Sequence, residues 1–499
     1  MTTPVPEPGA RPATGAAAEW PRDTDPLSRR IRLLALAAAL AIGGLAYLLR
    51  DGLGERGIGP LGALVMIAVS LALSSAPRRI DLRTVGWGIA LQLLLALFIL
   101  RFEIGGVRPG YALFSAIGAV VRQFLAFTDL GAQFVFGPLA DPAKMDPVFG
   151  AGNGFVFAFR ALPTIIFVSS FFTILYYYGV LQFIVKIMAR GMMYLMRTSG
   201  AESLSAAANV FMGQTEAPLI VRPYVEPMTR SELLALMVGG MATISGGVMA
   251  VYISLGADPV ALLTASAMAA PCSLYITKIV LPELGEPVTR GVIRMEVPRT
   301  DVNVIDAASR GASDGTVLAI NVAAMLIAFL ALIAMFDYML GFIHWGAAAP
   351  DAAPGWLSAG QLHLGQFQGR SGHQACTVLS LSRIFAVVFA PLAFLMGVPG
   401  PDIGGVADLL GTKLVANEFV AYVKLTGPYR AVLSARATEI ITIALCGFAN
   451  FASIGIQLGG IGAMAPSRRS DLSRLGMRAL YCGFVATMIN AAIAATLLP

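Results

Sequence analysis

The chain carries a series of apolar stretches, most of them long enough to cross a bilayer, joined by short loops. No other feature constrains the fold as strongly. A helix crosses the hydrocarbon core with about 20 mostly apolar residues. Candidate runs lie at 33–49, 60–76, 84–100, 155–178, 231–256, 259–281, 315–343, 376–398, 431–464 and 475–498, of which 431–464, with Asn450, Ser453 and several glycines, reads as a broken helix and 376–398 as a span or a partly interfacial segment. Backbone polar groups in lipid must be satisfied internally, so helices are the expected spanning element. Of the 499 residues, 57% are hydrophobic and 13% charged, against about 25% charged in an ordinary soluble domain. An ordinary soluble enzyme and a disordered protein are both excluded.

The net charge of +6 does not point to nucleic acid, because the basic residues form no dense patch. They sit in short loops: Arg78, Arg79 and Arg83; Lys186, Arg190 and Arg197; Arg290, Arg294, Arg299 and Arg310; Arg468, Arg469 and Arg474. Lys and Arg accumulate on the cytoplasmic side of membrane proteins. That rule places the amino terminus in the cytoplasm, with loop 344–373 and the carboxyl terminus outside, in a multi-pass protein of the cell membrane. Residues 1–30, rich in Pro, Ala, Thr and Arg, read as a disordered cytoplasmic tail. Residues 31–59 read as an additional transmembrane helix and loop, since the apolar run begins too far from the terminus for a signal peptide. Charges at Arg101, Glu103, Arg108, Arg122 and Asp129 interrupt the next stretch, and 110–127 is expected to be an amphipathic interfacial helix.

Two segments are neither loops nor spans. Residues 201–230 contain Asn209-Val-Phe-Met-Gly-Gln-Thr-Glu216-Ala-Pro218, and residues 403–428 contain Gly411-Thr-Lys-Leu-Val-Ala-Asn417-Glu418-Phe419. Each is polar at its middle and apolar at its flanks, as expected of a re-entrant hairpin whose tip is buried in protein. Each precedes an apolar run interrupted by small and polar residues: Gly239-Gly-Met-Ala-Thr243-Ile244-Ser245-Gly246 after the first, and Cys446-Gly-Phe448-Ala-Asn450-Phe-Ala-Ser453 after the second. This repeated order predicts an internal repeat, with a transport site where the two halves meet. The expected fold is therefore an all-α polytopic membrane protein with about nine transmembrane helices, two re-entrant helical hairpins and interfacial helices.

Glu216 and Glu418 are the most informative residues. A carboxylate at membrane depth is expensive unless paired or hydrated, so each is a candidate acceptor for a polar solute; the plainer alternative is an interfacial loop carboxylate. Gln214 and Thr215 add an amide and a hydroxyl, suited to an amide-bearing ring or, equally, to capping a hairpin. Asn450 and Ser453, three residues apart on one helix face, could hold a polyol or act as helix–helix contacts. Phe448 would line such a site or simply pack. Asn209, Thr243 and nearby carbonyls could coordinate a small cation, although a threonine hydroxyl also back-bonds to its own helix. Other matches fail for want of context. Gly311-Ala-Ser313-Asp-Gly315 fits a hydrolase motif but no strand precedes it, and neither Walker A nor HExxH occurs. The cysteines (Cys272, Cys376, Cys446, Cys482) and histidines (His344, His363, His373) show no ligand spacing. No enzyme chemistry and no bound cofactor are expected.

Leu162-Pro-Thr-Ile-Ile-Phe, Gly213-Gln-Thr-Glu-Ala-Pro-Leu, Gly411-Thr-Lys with Asn417-Glu418-Phe, and Gly447-Phe-Ala-Asn-Phe together resemble the concentrative nucleoside transporters. The likeness runs from about residue 60 to 498 and leaves residues 1–59 outside it. The resemblance implies a homotrimer of independently working protomers, each with a scaffold and a transport domain that moves in elevator fashion. Scaffold helices would occupy 60–160, the first hairpin and its core helices 161–343, and the external loop, second hairpin and C-terminal core helices 344–499. It implies that Gln214, Thr215 and Glu216 contact the nucleobase with Val248 packed beside it. Glu418, Asn450 and Ser453 would bind ribose, with Phe448 lining the pocket. Sodium would be held by Asn209, Thr243 and the carbonyls of Met212 and Ile244. Thr243 stands where the family often has Ser, and the hydroxyl is kept. The expected function is sodium-driven import of nucleosides such as uridine across the lipid bilayer. Proton coupling through a buried carboxylate is the alternative, as is carriage of another polar solute.

Overall fold

Short polar side chains open the helices at most of the places that matter for the site. Ser199, Ser245, Asp258, Ser434, Asn417 and Asn450 each accept a backbone N–H from the first turn that follows. Thr229 and Glu232 form a reciprocal capping box, which satisfies two otherwise orphaned donors. The computed structural model describes residues 23, 25–149, 154, 156–291, 301–340, 342, 344–345 and 377–498.

In chain order, α1 (Pro26–Leu48) leads into α2 (Arg50–Ala72), α3 (Leu82–Leu100), α4 (Pro109–Phe136) and α5 (Pro142–Phe149). Helices α6 (Phe157–Tyr177) and α7 (Val180–Met196) follow. The first hairpin descends through α8 (Gly200–Ala208), turns, and returns through the short α9 (Ala217–Ile220) and α10 (Arg222–Val225). A broken helix comes next, α11 (Arg230–Ala242) and α12 (Gly246–Ser254), then α13 (Pro259–Val280) and α14 (Val304–Leu340). After α15 (Leu381–Val388) and α16 (Ala390–Leu395), the second hairpin is α17 (Ile403–Val415) and α18 (Glu418–Thr426). A second broken helix, α19 (Ala435–Leu445) and α20 (Phe451–Met464), precedes α21 (Arg469–Leu497). Hairpin then broken helix thus occurs twice, as expected from the sequence. A two-residue ladder pairs His344–Trp345 with Thr377–Val378.

Among the described residues, nine helical segments are long and apolar enough to cross a membrane. Helices α13 and α21 are almost wholly buried, whereas α1 and α14 present large apolar side chains outward. A helix apolar on its outer face needs lipid or another helix to cover it. The core gathers around α8, α11, α13 and α17 to α21. Two ion pairs lie inside it. Lys278 of α13 bonds Glu202 of the first hairpin, and Lys424 of α18 bonds Asp408 of α17, tying the arms of the second hairpin together.

Four expected boundaries change. The helix expected from 31 begins at Pro26, capped by Asp25, so Arg29 and Arg30 lie in its first turns and not in a tail; residues 1–22 are outside the described set. Residues 50–59, expected as a loop, belong to α2, which kinks at Gly54 (φ 62°). The run 376–398 is not a span: Ala390-Pro391 starts a new helix after eight residues, and that helix lasts six. The interfacial helix expected over 110–127 is the 28-residue α4, long enough by itself to cross. Loop 344–373, with His363 and His373, lies almost entirely outside the described residues, as does Cys376.

Candidate functional site

The first arm of the second hairpin ends where α17 gives out at Ala416. Asn417 is fully extended, and its Oδ1 accepts the Val420 N–H at 2.8 Å. This cap starts α18 at Glu418 and aims its carboxylate inward, where it is 5% exposed. Glu418 Oε1 accepts from the Tyr252 hydroxyl at 3.1 Å and Oε2 from Asn450 Nδ2 at 2.9 Å. Asn450 caps α20, its Oδ1 accepting the Ser453 N–H at 2.9 Å. Both ends of the Asn450 amide are therefore committed, which fixes its orientation.

From Ser453 the chain of bonds crosses to the first hairpin. Gln214 Nε2 donates to Ser453 Oγ at 3.2 Å, and Gln214 Oε1 accepts from Gln457 Nε2 at 3.3 Å. Gln457 Nε2 also donates to the Met237 carbonyl of α11 at 2.9 Å. One polar chain, Tyr252–Glu418–Asn450–Ser453–Gln214–Gln457, thus joins both hairpin tips and both broken helices. The breaks also touch through backbone, since the Phe448 N–H donates to the Thr243 carbonyl at 3.1 Å.

Glu216 is placed differently. It is exposed, and its Oε2 accepts the Gly213 N–H of its own turn at 3.2 Å. It is not part of the chain that holds Glu418. Thr215 is half-buried, its methyl against Gly460. Val248 is buried in the first turn of α12, and Phe448 is half-buried at the second break.

Two of the residues proposed for the cation, Asn209 and Thr243, meet at Gly239. Asn209 is fully buried; its Nδ2 donates to Ser205 O at 2.9 Å, and a methyl on Gly239 would lie 2.9 Å from that nitrogen. The Thr243 hydroxyl donates to the Gly239 carbonyl at 2.9 Å. Ile244 is buried in the break, and Met212 sits half-buried at the hairpin turn. Asn209 Oδ1 is buried with no hydrogen-bond partner among the described residues. A buried acceptor left bare costs free energy, and a hard monovalent cation, which takes oxygen ligands, would satisfy it. Among the described residues no group of three or more His, Cys, Asp or Glu side chains could hold a metal.

Sequence reasoning gave no role to three residues of the site. Tyr252 and Gln457 are single polar positions inside apolar helices. Lys413, fully buried in the second hairpin, donates to the Ala444 carbonyl at 2.7 Å and to Thr487 Oγ1 at 2.8 Å. It thereby satisfies a carbonyl at the broken end of α19.

Paired hairpins and paired broken helices enclosing a buried polar chain are the architecture of a secondary transporter. Comparison with known proteins narrows that class. Family models match for the sodium-dependent nucleoside transporter N-terminus over residues 61–139, for nucleoside recognition over 158–259 and for the sodium-dependent nucleoside transporter C-terminus over 261–495. An uncharacterized transporter of Haemophilus influenzae is 42% identical over 87% of this chain and 96% of its own length. Sodium/nucleoside cotransporter 1 of Mus musculus is 39% identical over 93% of this chain and 67% of its own. Among solved structures, CNTnw in an inward-facing substrate-bound state aligns with a TM-score of 0.76 at 38% identity, covering 89% of this chain and 99% of that one. The chain belongs to the concentrative nucleoside transporter family, whose members are transporters and not enzymes.

Proposed function

We propose that this protein imports nucleosides by symport with sodium. The observation that carries the reading is the polar chain from Tyr252 to Gln457, which links the two hairpin tips at the meeting of the repeats. Its acceptors and donors suit the two halves of a nucleoside. Glu418, Asn450 and Ser453 bind the ribose hydroxyls, with Phe448 along the pocket. Gln214 and Thr215 address the nucleobase with Val248 beside it, and Glu216, open at the tip, completes that end. Sodium is held by Asn209, Thr243 and the carbonyls of Met212 and Ile244. The bare Asn209 Oδ1 supports this placement.

Coupling follows from the shared hairpin. Asn209 and Gln214 stand at the two ends of one turn, so an ion that orders Asn209 also orders Gln214. Each ligand then raises the affinity for the other. Movement between inward- and outward-facing states, both represented among the CNTnw structures, would proceed as an elevator. In that motion residues 161–343 and 344–499 carry the site against a scaffold formed by 60–160 in a homotrimer. The amino terminus lies in the cytoplasm and the carboxyl terminus outside.

The test is uridine uptake into proteoliposomes under an inward sodium gradient, a potassium control and an inward proton gradient. Uphill accumulation with sodium alone is the expected result. Accumulation with protons alone moves coupling onto a carboxylate. Folded protein that accumulates no nucleoside under any gradient refutes the reading.

A further inference from the structure

We infer that Gln457 is a positioning residue that locks the Gln214 amide with its donor end toward the substrate, and so sets which nucleobase edge the site accepts. The inference rests on the reading that Gln214 faces the base. An amide's nitrogen and oxygen are told apart only by their partners, and here the partners decide. Gln457 Nε2 lies 2.9 Å from the Met237 carbonyl, which can only accept. The Gln457 amide must therefore present nitrogen there. That nitrogen also lies 3.3 Å from Gln214 Oε1 and donates to it. If Gln214 turned over, two NH2 groups would face each other. Its oxygen is thus held on the Gln457 side and its nitrogen on the Ser453 side, 3.2 Å from Ser453 Oγ.

Two further observations support a built arrangement. Gln457 is fully buried, so water does not compete for its donors. Gly240 makes the room: a methyl there would lie 2.7 Å from Gln214 Cβ and 3.0 Å from Gln457 Nε2. Ser453 takes one N–H of Gln214, and among the described residues the second has no acceptor. The end of the locked amide turned away from Gln457 therefore offers a hydrogen bond and does not accept one. It matches a pyrimidine edge bearing a carbonyl and mismatches the same edge bearing an amine.

The experiment compares inhibition constants of uridine and cytidine in proteoliposomes for wild type, Gln457→Met and Gln214→Ala, with sodium half-saturation and melting temperature as controls. Methionine keeps the bulk, removes both donors and also removes Gln457 Oε1, which is buried without a partner. The expected wild type prefers uridine. In Gln457→Met that preference falls toward unity, by roughly five- to tenfold, about the value of one donor–acceptor match. Sodium half-saturation stays unchanged. Should Gln457→Met fail to fold, Gln457→Glu serves: a protonated carboxyl has one donor, which Met237 takes, and Gln214 is freed. A preference unaltered by either Gln457 variant but altered by Gln214→Ala overturns the lock alone. A preference unaltered by Gln214→Ala overturns the base-contact reading and the lock with it. A wild type indifferent to the two bases also overturns the lock.

Discussion

Gly239 and Gly240 are neighbours in α11, yet a methyl on each would strike a different ligand site. On Gly240 it would lie 2.7 Å from Gln214 Cβ. Carbon atoms rest at about 3.5 Å or more, so the hairpin tip must retreat by about 0.8 Å. A retreat that carries Gln214 away from Ser453 takes their bond, already 3.2 Å, out of hydrogen-bond range. Overpacking of this kind costs about 1–3 kcal/mol. Expressed as loss of the binding-competent tip, it weakens nucleoside affinity by roughly five- to 150-fold. Gly239→Ala instead drives a methyl to 2.9 Å from Asn209 Nδ2, and its main effect falls on sodium. Gly459→Ala, on α20 where a methyl meets nothing within 4 Å, is the neutral control. Calorimetric titration of purified protein with uridine at several sodium concentrations separates the two constants. Gly240→Ala binding uridine within twofold of wild type, at saturating sodium, would refute the packing argument.

Other perturbations have equally definite outcomes. Glu418→Ala removes the acceptor shared by Tyr252 and Asn450; uptake is lost while the melting temperature and size-exclusion profile match wild type, and normal uptake would end the ribose assignment. Thr243→Val keeps the shape but deletes the hydroxyl. Sodium half-saturation rises roughly tenfold, the lost oxygen ligand being worth about as much as a hydrogen bond to a charged group, while Thr243→Ser stays near wild type; equal sodium curves for Val and wild type would remove Thr243 from the ion site. Lys424→Met leaves the Asp408 carboxylate in the second hairpin without its counter-charge, with only the Tyr429 hydroxyl beside it among the described residues, and destabilises by about 3–5 kcal/mol. Adding Asp408→Leu restores much of the lost melting temperature, and a double variant no better than the single would show that the pair is not the cause.

The hairpin tips were legible because polar runs stood where an apolar span was due. Asn209 to Glu216 and Asn417-Glu418 could be read that way, and both proved to be turns between short helices. Broken helices were legible from clustered Gly, Ser, Thr and Asn. Apolar content alone left 376–398 open between a span and a partly interfacial segment, and Pro391 and the left-handed Gly397 (φ 74°) cut the run short. Glu216 and Glu418 looked alike in sequence, but a cap of its own turn and a buried bridge between helices differ only in tertiary context. Gln457 was invisible for the same reason: its partner Gln214 is 243 residues away, and one amide in an apolar helix carries no local pattern. Lys413 stood in a motif, yet its use, satisfying the open end of α19, depends on where that helix breaks.

The bond from the Phe448 N–H to the Thr243 carbonyl is made by main chain on both sides. Side-chain replacement therefore leaves its chemistry intact. The pocket lining can be rewritten, by selection or by an engineer seeking a carrier for modified nucleosides, while the seam between the repeats stays stitched. Altered cargo and preserved energy coupling are compatible in such a design, because the lesion and the linkage reside in different parts of the polymer.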